Sequence, residues 1–409
     1  MTERMLPDAR WRNSEGLRKV VAALADEHGG PRYVGGAVRD TLLGLDVSDV
    51  DMATILHPQS VIDQLEAAGI KAVPTGLDHG TVTAVTDGKN YEITTLRRDV
   101  ATDGRRATVE FSSEWREDAA RRDFTINALY ADPATGEIFD YFGGLDDLEN
   151  GTVRFIGDAD QRIAEDFLRI LRYFRFLARY GRGAVDTDAI KACAKGAHGL
   201  TALSRERIAQ ELTKLLALPN PVEAIALMVK ERIFAPFLPE LAEEAALKIA
   251  SLKAREVKFQ QALSLQARLL TLLPKDVAIV DRVAARMKLS NKLREGLSSR
   301  VSSDTPTSQN IQALAYQCGL PCAVDVTLLY ASDQDVGDCL ARLDGWRMPE
   351  FDLKGGELIL MGLNPGPMVA KTLKLIEARW ISEGFPPATR LIEIARQSVA
   401  DALSASRNA

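Results

Sequence analysis

The chain is 409 residues long, 46% hydrophobic and 26% charged, with a formal net charge of −6. That length exceeds one small core and suits two to four domains, and the composition is that of an ordinary globular protein in water. No run approaches the roughly 18 uncharged apolar residues that span a bilayer, which excludes a membrane-spanning role, and an acidic balance excludes a protein coated evenly for nucleic acid. An RNA substrate then requires basic surface that is local. The opening MTERMLPDARWRNSEGLRK mixes acids and bases without an apolar stretch, so it reads as neither signal nor transit peptide. Four cysteines with no C-x-x-C pair make neither a disulfide framework nor a zinc site, which points to a reducing cytoplasm.

In chain order, Leu17, Val20, Val21 and Leu24 recur at helical spacing, and a short strand is expected near 32–34. Gly35-Gly36 breaks that strand, and a helix follows over 37–43. Further strands are expected at 50–55, 70–73, 81–86 and 91–96. The last two are joined by Asp87-Gly88-Lys89-Asn90, a hairpin signal. A second hairpin is expected around 132–136, between INALYA and EIFDYF. Segment 97–118 is polar, mixed in charge and aperiodic, and is expected to be a long mobile loop of the kind that carries function. After Gly151 the pattern turns helical: 159–180, 204–217, 221–232, 239–272, 276–288, 308–318 and 367–382, with 298–309 as a polar loop. The expected architecture is an α/β head with a mixed or antiparallel sheet, followed by an all-helical remainder.

Three constellations carry chemistry. The first is Gly35-Gly36-Ala-Val-Arg39-Asp40, followed by Asp49-Val-Asp51. Two glycines between strand and helix let backbone approach a phosphate, and Arg39 sits one turn into the helix to reach the same anion. Asp49 and Asp51 alternate along a strand, so their carboxylates share a face and suit Mg²⁺ that keeps water and phosphate ligands. Each piece alone is ordinary: a Gly-Gly pair makes a tight turn, and an Asp-x-Asp sits at a solvated strand end. Joined at this spacing they are the equipment for phosphoryl or nucleotidyl transfer. No P-loop and no G-x-G-x-x-G occurs.

The second is Arg121-Arg122-Asp123-Phe124-Thr125-Ile126-Asn127. The arginines can meet a triphosphate, Asp123 a ribose hydroxyl, and Asn127 can hold either the aspartate or the sugar, while Phe124 and Ile126 read as core. The third is the helix carrying Glu165, Asp166, Arg169, Arg172, Arg175, Arg179 and Arg182. There, Phe167, Ile170, Leu171 and Phe174 form the buried face, and Asp166, Arg169, Arg172 and Arg175 step by threes down one flank. From Arg162 to Arg182 six arginines face two acids, a basic island in an acidic chain. A salt-bridged helix surface accounts for such a stripe. A carboxylate and a guanidinium one turn apart can also pair with the Watson–Crick edge of a base.

GGAVRD…DVD, YEITTLR, RRDFTINAL, YFGGLDDLENGTVRFIG and EDFLRILRYFRF together resemble, in order, the motifs of class II tRNA nucleotidyltransferases, the CCA-adding enzymes, whose near relatives are the bacterial poly(A) polymerases. The motif-bearing region covers roughly residues 30–215, and DLKGGELILMGLNPGP looks like the tail of some members. The resemblance implies a polymerase-β-like catalytic head over 1–150, a base-recognising helical neck over 151–217, and a tRNA-binding body and tail over 218–409. It implies that Asp49 and Asp51 bind catalytic Mg²⁺, and that Gly36 and Arg39 hold the incoming nucleotide's phosphates. Arg122 and Asp123 would meet its phosphate and ribose. Asp166 and Arg169 would select CTP or ATP at the base edge, with Arg172 and Arg175 as further nucleotide contacts. Segment 97–118 falls where that family has a loop needed for the switch from C to A addition. The partners implied are tRNA, CTP and ATP, with no membrane; the oligomeric state is open.

Poly(A) polymerase, or an enzyme adding only A to tRNA, is the nearest rival. The basic G-[RK]-[RK]-F element expected of a poly(A) polymerase is missing, and VPTGLDHGTVTAV stands in its place. An HD phosphohydrolase domain is excluded because His198, the sole histidine after residue 80, has no adjacent aspartate. A non-catalytic RNA-binding protein on this scaffold would be expected to lose Asp49 or Asp51, and both are present. Glu92 is expected to brace an arginine rather than to ligate metal. His79 is expected to cap or pack, and His28 and His57 to lie at the surface or in turns.

Overall fold

The computed structural model describes residues 5–25, 30–103 and 106–407, which fall into two compact units that divide between Pro239 and Glu240. His28 lies outside the described residues. This physical division differs from the boundaries 1–150, 151–217 and 218–409 that the resemblance implies.

Among the described residues the first unit is built on nine strands: β1 (Arg32–Val34), β2 (Asp51–Thr54), β3 (Lys71–Gly76), β4 (Thr81–Thr86), β5 (Lys89–Thr95), β6 (Arg97–Asp103), β7 (Arg106–Phe111), β8 (Leu129–Ala131) and β9 (Ile138–Asp140). Seven form one sheet in the order β3-β4-β5-β2-β1-β8-β9. Only the β2–β5 pair in it is parallel, with Asp51 opposite Glu92. The mixed sheet of the expected head is therefore present. The β4–β5 turn is Asp87-Gly88, both at positive φ (52° and 71°), the geometry that suits a two-residue hairpin. The second hairpin also forms: Asp132 turns the chain by accepting from the amides of Ala134 and Thr135 at 2.8 and 2.7 Å.

The described part of segment 97–118 does not form a loop; residues 104–105 lie outside the described residues. β6 and β7 pair as a separate two-stranded ribbon from Arg97 opposite Phe111 to Asp103 opposite Arg106. Charges that broke the apolar period pair across this ribbon instead, as Arg98 does with Glu110 at 2.8 Å. Phe111 anchors its base edge-on to His57, with ring centroids 5.1 Å apart.

Helices α1 (Glu15–Ala23), α2 (Gly36–Leu42), α3 (Pro58–Ala67), α4 (Trp115–Ala120) and α5 (Gly144–Asn150) dress the sheet. Then come α6 (Ala159–Glu165), α7 (Leu168–Tyr180), α8 (Thr187–Gly196), α9 (Arg205–Leu216) and α10 (Val222–Lys230). The helix expected over 159–180 is broken at Asp166-Phe167, where Asp166 takes an extended conformation (φ −155°, ψ 106°). Its carboxylate accepts from the Leu168 amide at 3.0 Å, so it starts a new helix rather than continuing the old one. Asp166 therefore does not lie on one helical flank with Arg169, Arg172 and Arg175.

An aromatic stack joins α7 to the sheet. Phe155 lies parallel to Tyr173 at 5.4 Å, and Phe124 meets Phe176 at 5.0 Å. Phe124 and Ile126 are fully buried, as the sequence implied, and each contributes roughly 1.5–3 kcal/mol by leaving water.

The second unit is all helical: α11 (Ala245–Lys258), α12 (Leu265–Thr271), α13 (Val277–Arg286), α14 (Asn291–Ser302), α15 (Ile311–Cys318), α16 (Leu320–Tyr330), α17 (Asp335–Leu343), α18 (Gly355–Leu360), α19 (Pro367–Ser382) and α20 (Ala388–Arg407). The single helix expected over 239–272 is two, separated by residues 259–264, and the polar stretch 298–309 is helical as far as Ser302. Buried pairs Arg268–Glu256 (2.7 Å) and Arg300–Asp325 (2.6 Å) cross this core, and Leu358, Ile376, Trp380 and Ile394 fill its last segment. Among the described residues no helix is long and apolar enough to cross a membrane.

Candidate active site

Where β1 ends, Gly35 adopts φ +67°, a conformation that L side chains avoid. Its amide donates to the Leu129 carbonyl at 3.0 Å, which fixes the turn against β8 instead of leaving that N–H for a phosphate. A Cβ on Gly36 would stand in ordinary van der Waals contact with Arg39 Nη2, at 3.6 Å. Arg39 is nearly buried. It donates to Asp40 at 2.8 Å and to Asn127, and lies 4.3 Å from the Tyr180 ring centroid. Asp40 is held in turn by the Tyr180 hydroxyl at 3.0 Å.

Asp51 opens β2, whereas Asp49 precedes the strand and takes the Ser48 hydroxyl at 2.8 Å. The two are thus not both strand residues, though they face one cavity. Loss of water around the Asp51 carboxyl raises its pKa; Glu92 and Asp49 push the same way, and Arg122 opposes them.

Arg122 is held by two partners along one edge of its guanidinium. Nε donates to the Tyr130 hydroxyl and Nη2 to Asp118, each at 3.1 Å. Asp123 is buried, and both its oxygens accept hydrogen bonds. Oδ1 accepts from Asn127 and from the Phe124 amide, both at 2.9 Å, and Oδ2 accepts from Arg172 Nε at 2.7 Å. Burial alone would raise this carboxyl's pKa; Arg172 and the hydrogen bonds outweigh that and lower it. Asn127 therefore bridges Arg39 and Asp123, the holding role its place in the motif suggested.

From α7, Arg169 donates to Glu165, to the Arg162 carbonyl at 2.8 Å and to the Arg121 carbonyl at 3.3 Å. Arg175 pairs with buried Glu211 of α9 at 2.7 Å and lies 4.7 Å from the Phe176 ring centroid. Asp166 pairs with Arg207 of α9 at 2.7 Å. Sequence reasoning missed Asp40, Asp118, Tyr130, Arg207 and Glu211. Asp40 stood inside a recognised motif; nothing in the sequence tied Arg207 to a carboxylate 41 residues earlier.

Gly36, Arg39, Asp49, Asp51, Arg122, Asp123, Asp166, Arg169, Arg172 and Arg175 all line one open cavity of about 640 Å³. Glu92 and His79 do not line it. Both are exposed, and the His79 carbonyl accepts from Arg97. The lining brings together the Asp49 and Asp51 carboxylates at the start of β2, Asp166 just before α7, and five arginines, Arg39, Arg122, Arg169, Arg172 and Arg175. Such a cavity can take a polyanion whose other end carries hydrogen-bonding edges.

Residues 32–154 match the family described as the poly A polymerase head domain, and residues 184–244 match the probable RNA and SrmB-binding site of polymerase A. The chain is 34% identical to CCA tRNA nucleotidyltransferase 1, mitochondrial, of Homo sapiens over 91% of its own length and 87% of that protein. It is 31% identical to the CCA-adding enzyme of Lacticaseibacillus paracasei, over 95% and 96% of the two lengths. The Bacillus stearothermophilus CCA-adding enzyme, solved in complex with CTP, superposes with a TM-score of 0.73 at 25% identity, covering 97% of this chain and 100% of that one. The chain belongs to the tRNA nucleotidyltransferase family of CCA-adding enzymes.

Proposed function

We propose that this chain adds C, C and A to the 3′ end of tRNA, using CTP and ATP and releasing pyrophosphate in a Mg²⁺-dependent nucleotidyl transfer. The observation that carries this reading is the single cavity in which a carboxylate pair, phosphate-sized cations and the Asp166–Arg169 pair converge. Membership of the family supports the activity, and the absence of the basic G-[RK]-[RK]-F element favours it over poly(A) synthesis. Residues 1–150 then form the catalytic head, 151–217 the base-recognising neck, and 218–409 the body and tail that hold tRNA. The cysteine usage favours a cytoplasmic setting, while the human relative bears a mitochondrial name.

Asp49 and Asp51 fit a hard divalent cation. Their donors are oxygens, and Asp51 sits where shed water and like charges disfavour its ionised form until positive charge arrives. Among the described residues no cluster of three or more His, Cys, Asp or Glu could hold a metal, so this pair suits an ion that fills its shell with phosphate and water. When bound there, Mg²⁺ supplies Lewis acidity toward the α-phosphate and the attacking 3′-hydroxyl.

The chain's own residues supply the rest. Arg39, Arg122 and Arg175 hold the triphosphate in register for in-line attack, and Asp123 meets the ribose. Asp166 accepts from the exocyclic amine shared by cytosine and adenine, and Arg169 donates to the ring nitrogen beside it. UTP presents the opposite pattern at that edge and would leave the Asp166 carboxylate facing an acceptor, which rejects it.

The test is incorporation of each labelled nucleotide, with Mg²⁺, into tRNA ending at the discriminator base, at C and at CC, with oligo(A) alongside. Two C, one A and a stop support the reading. Unlimited A on oligo(A) replaces it with poly(A) synthesis.

A further inference from the structure

Asp118 is 1% exposed and lies outside the active cavity, yet it touches both arginines of the Arg121-Arg122 pair. Oδ1 accepts from Arg121 Nε at 2.8 Å. Oδ2 accepts from Arg122 Nη2 at 3.1 Å and from the Tyr130 hydroxyl at 2.6 Å. Tyr130, fully buried in β8, accepts in turn from Arg122 Nε at 3.1 Å. A closed ring of three hydrogen bonds results: guanidinium to carboxylate, guanidinium to phenol, phenol to carboxylate.

The ring uses Nε and Nη2, neighbours on one edge of a planar guanidinium whose donors point in fixed directions. Nη1 is the remaining nitrogen, and it lies on the cavity side, 3.5 Å from where a Cβ on Gly35 would stand. A free arginine side chain loses considerable rotamer freedom on binding an anion. Here that freedom is already lost in the folded protein. The buried carboxylate also needs its donors, since a charge held out of water without them is costly.

We propose that Asp118 and Tyr130 are positioning residues for nucleotide binding, holding Arg122 with Nη1 aimed at the phosphates of the incoming CTP or ATP. The proposal rests on the reading of Arg122 as a phosphate ligand. It gives the pair no contact with substrate and no part in proton transfer. Because CTP and ATP carry the same triphosphate, the device serves both substrates equally and leaves the choice of base untouched.

The experiment uses the full chain. Dissociation constants for CTP and for pyrophosphate, each with Mg²⁺, are measured by calorimetry, and steady-state rates on tRNA lacking CCA are measured with CTP and UTP. The variants are Tyr130→Phe, Asp118→Asn and Arg122→Lys. Tyr173→Phe is the control, since it removes a buried hydroxyl of the same unit that has no hydrogen-bond partner among the described residues. Tyr130→Phe and Arg122→Lys are expected to weaken CTP and pyrophosphate by roughly tenfold each, the size of one charge-assisted hydrogen bond. The loss falls on KM more than on kcat, with the CTP-over-UTP preference unchanged, and Tyr173→Phe binds both ligands like the parent. If Tyr130→Phe binds both ligands as the parent does while Arg122→Lys is weakened, the positioning role is overturned. If Arg122→Lys also binds normally, the phosphate role of Arg122 itself falls and the proposal with it. Should Asp118→Asn fail to fold, Tyr130→Phe decides alone.

Discussion

Arg172 on α7 donates to Asp123 at 2.7 Å, joining the helix that carries Arg169 and Arg175 to the Arg121-Arg122-Asp123 motif. Asp123 sits buried at the end of the Arg121-Arg122-Asp123 run, and its other oxygen is occupied by Asn127 and the Phe124 amide. One ion pair thus bridges two sequence motifs 49 residues apart. Arg172→Ala leaves that carboxylate short of its cationic partner, and breaking a pair of this kind costs about 2–3 kcal/mol. Thermal melting of the full chain should show a lower midpoint for its first unit. Arg172→Lys should restore only part of the loss, because an ammonium cannot match the planar two-nitrogen approach. A midpoint unchanged in Arg172→Ala would mean that the aromatic stack alone holds the joint.

Asp118 supplies a pH signature. Burial acts to raise its pKa, but Arg122, Arg121 and the Tyr130 hydroxyl outweigh it and hold the value at about 2, below the ordinary 3.8. A carboxyl depressed on folding stabilises the native state fully above its unfolded pKa and loses that contribution as pH falls through its folded pKa. The window therefore runs from about pH 4 down to about pH 2, and the contribution above it is about 2 kcal/mol. Urea melts of the parent and Asp118→Asn should differ most at pH 7 and converge toward pH 2–3. A gap that stays constant across that range would remove the linkage.

Much of the site was legible because local sequence encodes local chemistry. Gly35 and Gly36 mark a turn that only glycine enters at φ +67°, Asp49-x-Asp51 marks paired oxygens, and Phe124 and Ile126 mark the buried side of their motif. Two errors share one cause, which is that polar side chains satisfied by distant partners leave no periodic trace. In segment 97–118, charges pair across strands, so the apolar alternation that announces a ribbon is missing. At Asp166 the carboxylate turns back to its own backbone and out to Arg207, ending one helix where the apolar spacing ran on unbroken. Arg207, Glu211 and Tyr130 contact the site's residues only through the tertiary fold, and a single sequence carries no signal for such contacts.

Base selection should depend on Arg207. It donates to Asp166 Oδ2 at 2.7 Å, while the Leu168 amide takes Oδ1 at 3.0 Å, so the carboxylate's plane is set by both. Arg207→Ala frees the carboxylate to rotate and to admit water, which lowers the penalty for presenting it with a uracil acceptor. The expected outcome is a preference for CTP over UTP that falls about tenfold, with CTP incorporation itself reduced less. Competition between labelled CTP and UTP on tRNA ending at the discriminator base measures it. Equal loss with every nucleotide would assign Arg207 to the packing of α9 instead.

Catalysis should fail before binding does when the carboxylate pair is cut. Asp49→Ala or Asp51→Ala removes oxygens that the arginines cannot replace, whereas Arg39, Arg122 and Arg175 still offer positive charge to a triphosphate. Incorporation should drop by at least about a thousandfold, in line with loss of metal-assisted activation, while CTP binding in calorimetry stays within about tenfold. Chelation of divalent ions from the parent should give the same pattern, and Mg²⁺ should restore the parent and neither variant. Asp51→Ala also relieves the crowding of like charges with Glu92 and Asp49, so it should be no less stable to heat than the parent without metal. Activity retained in either variant would move the metal site elsewhere in the cavity.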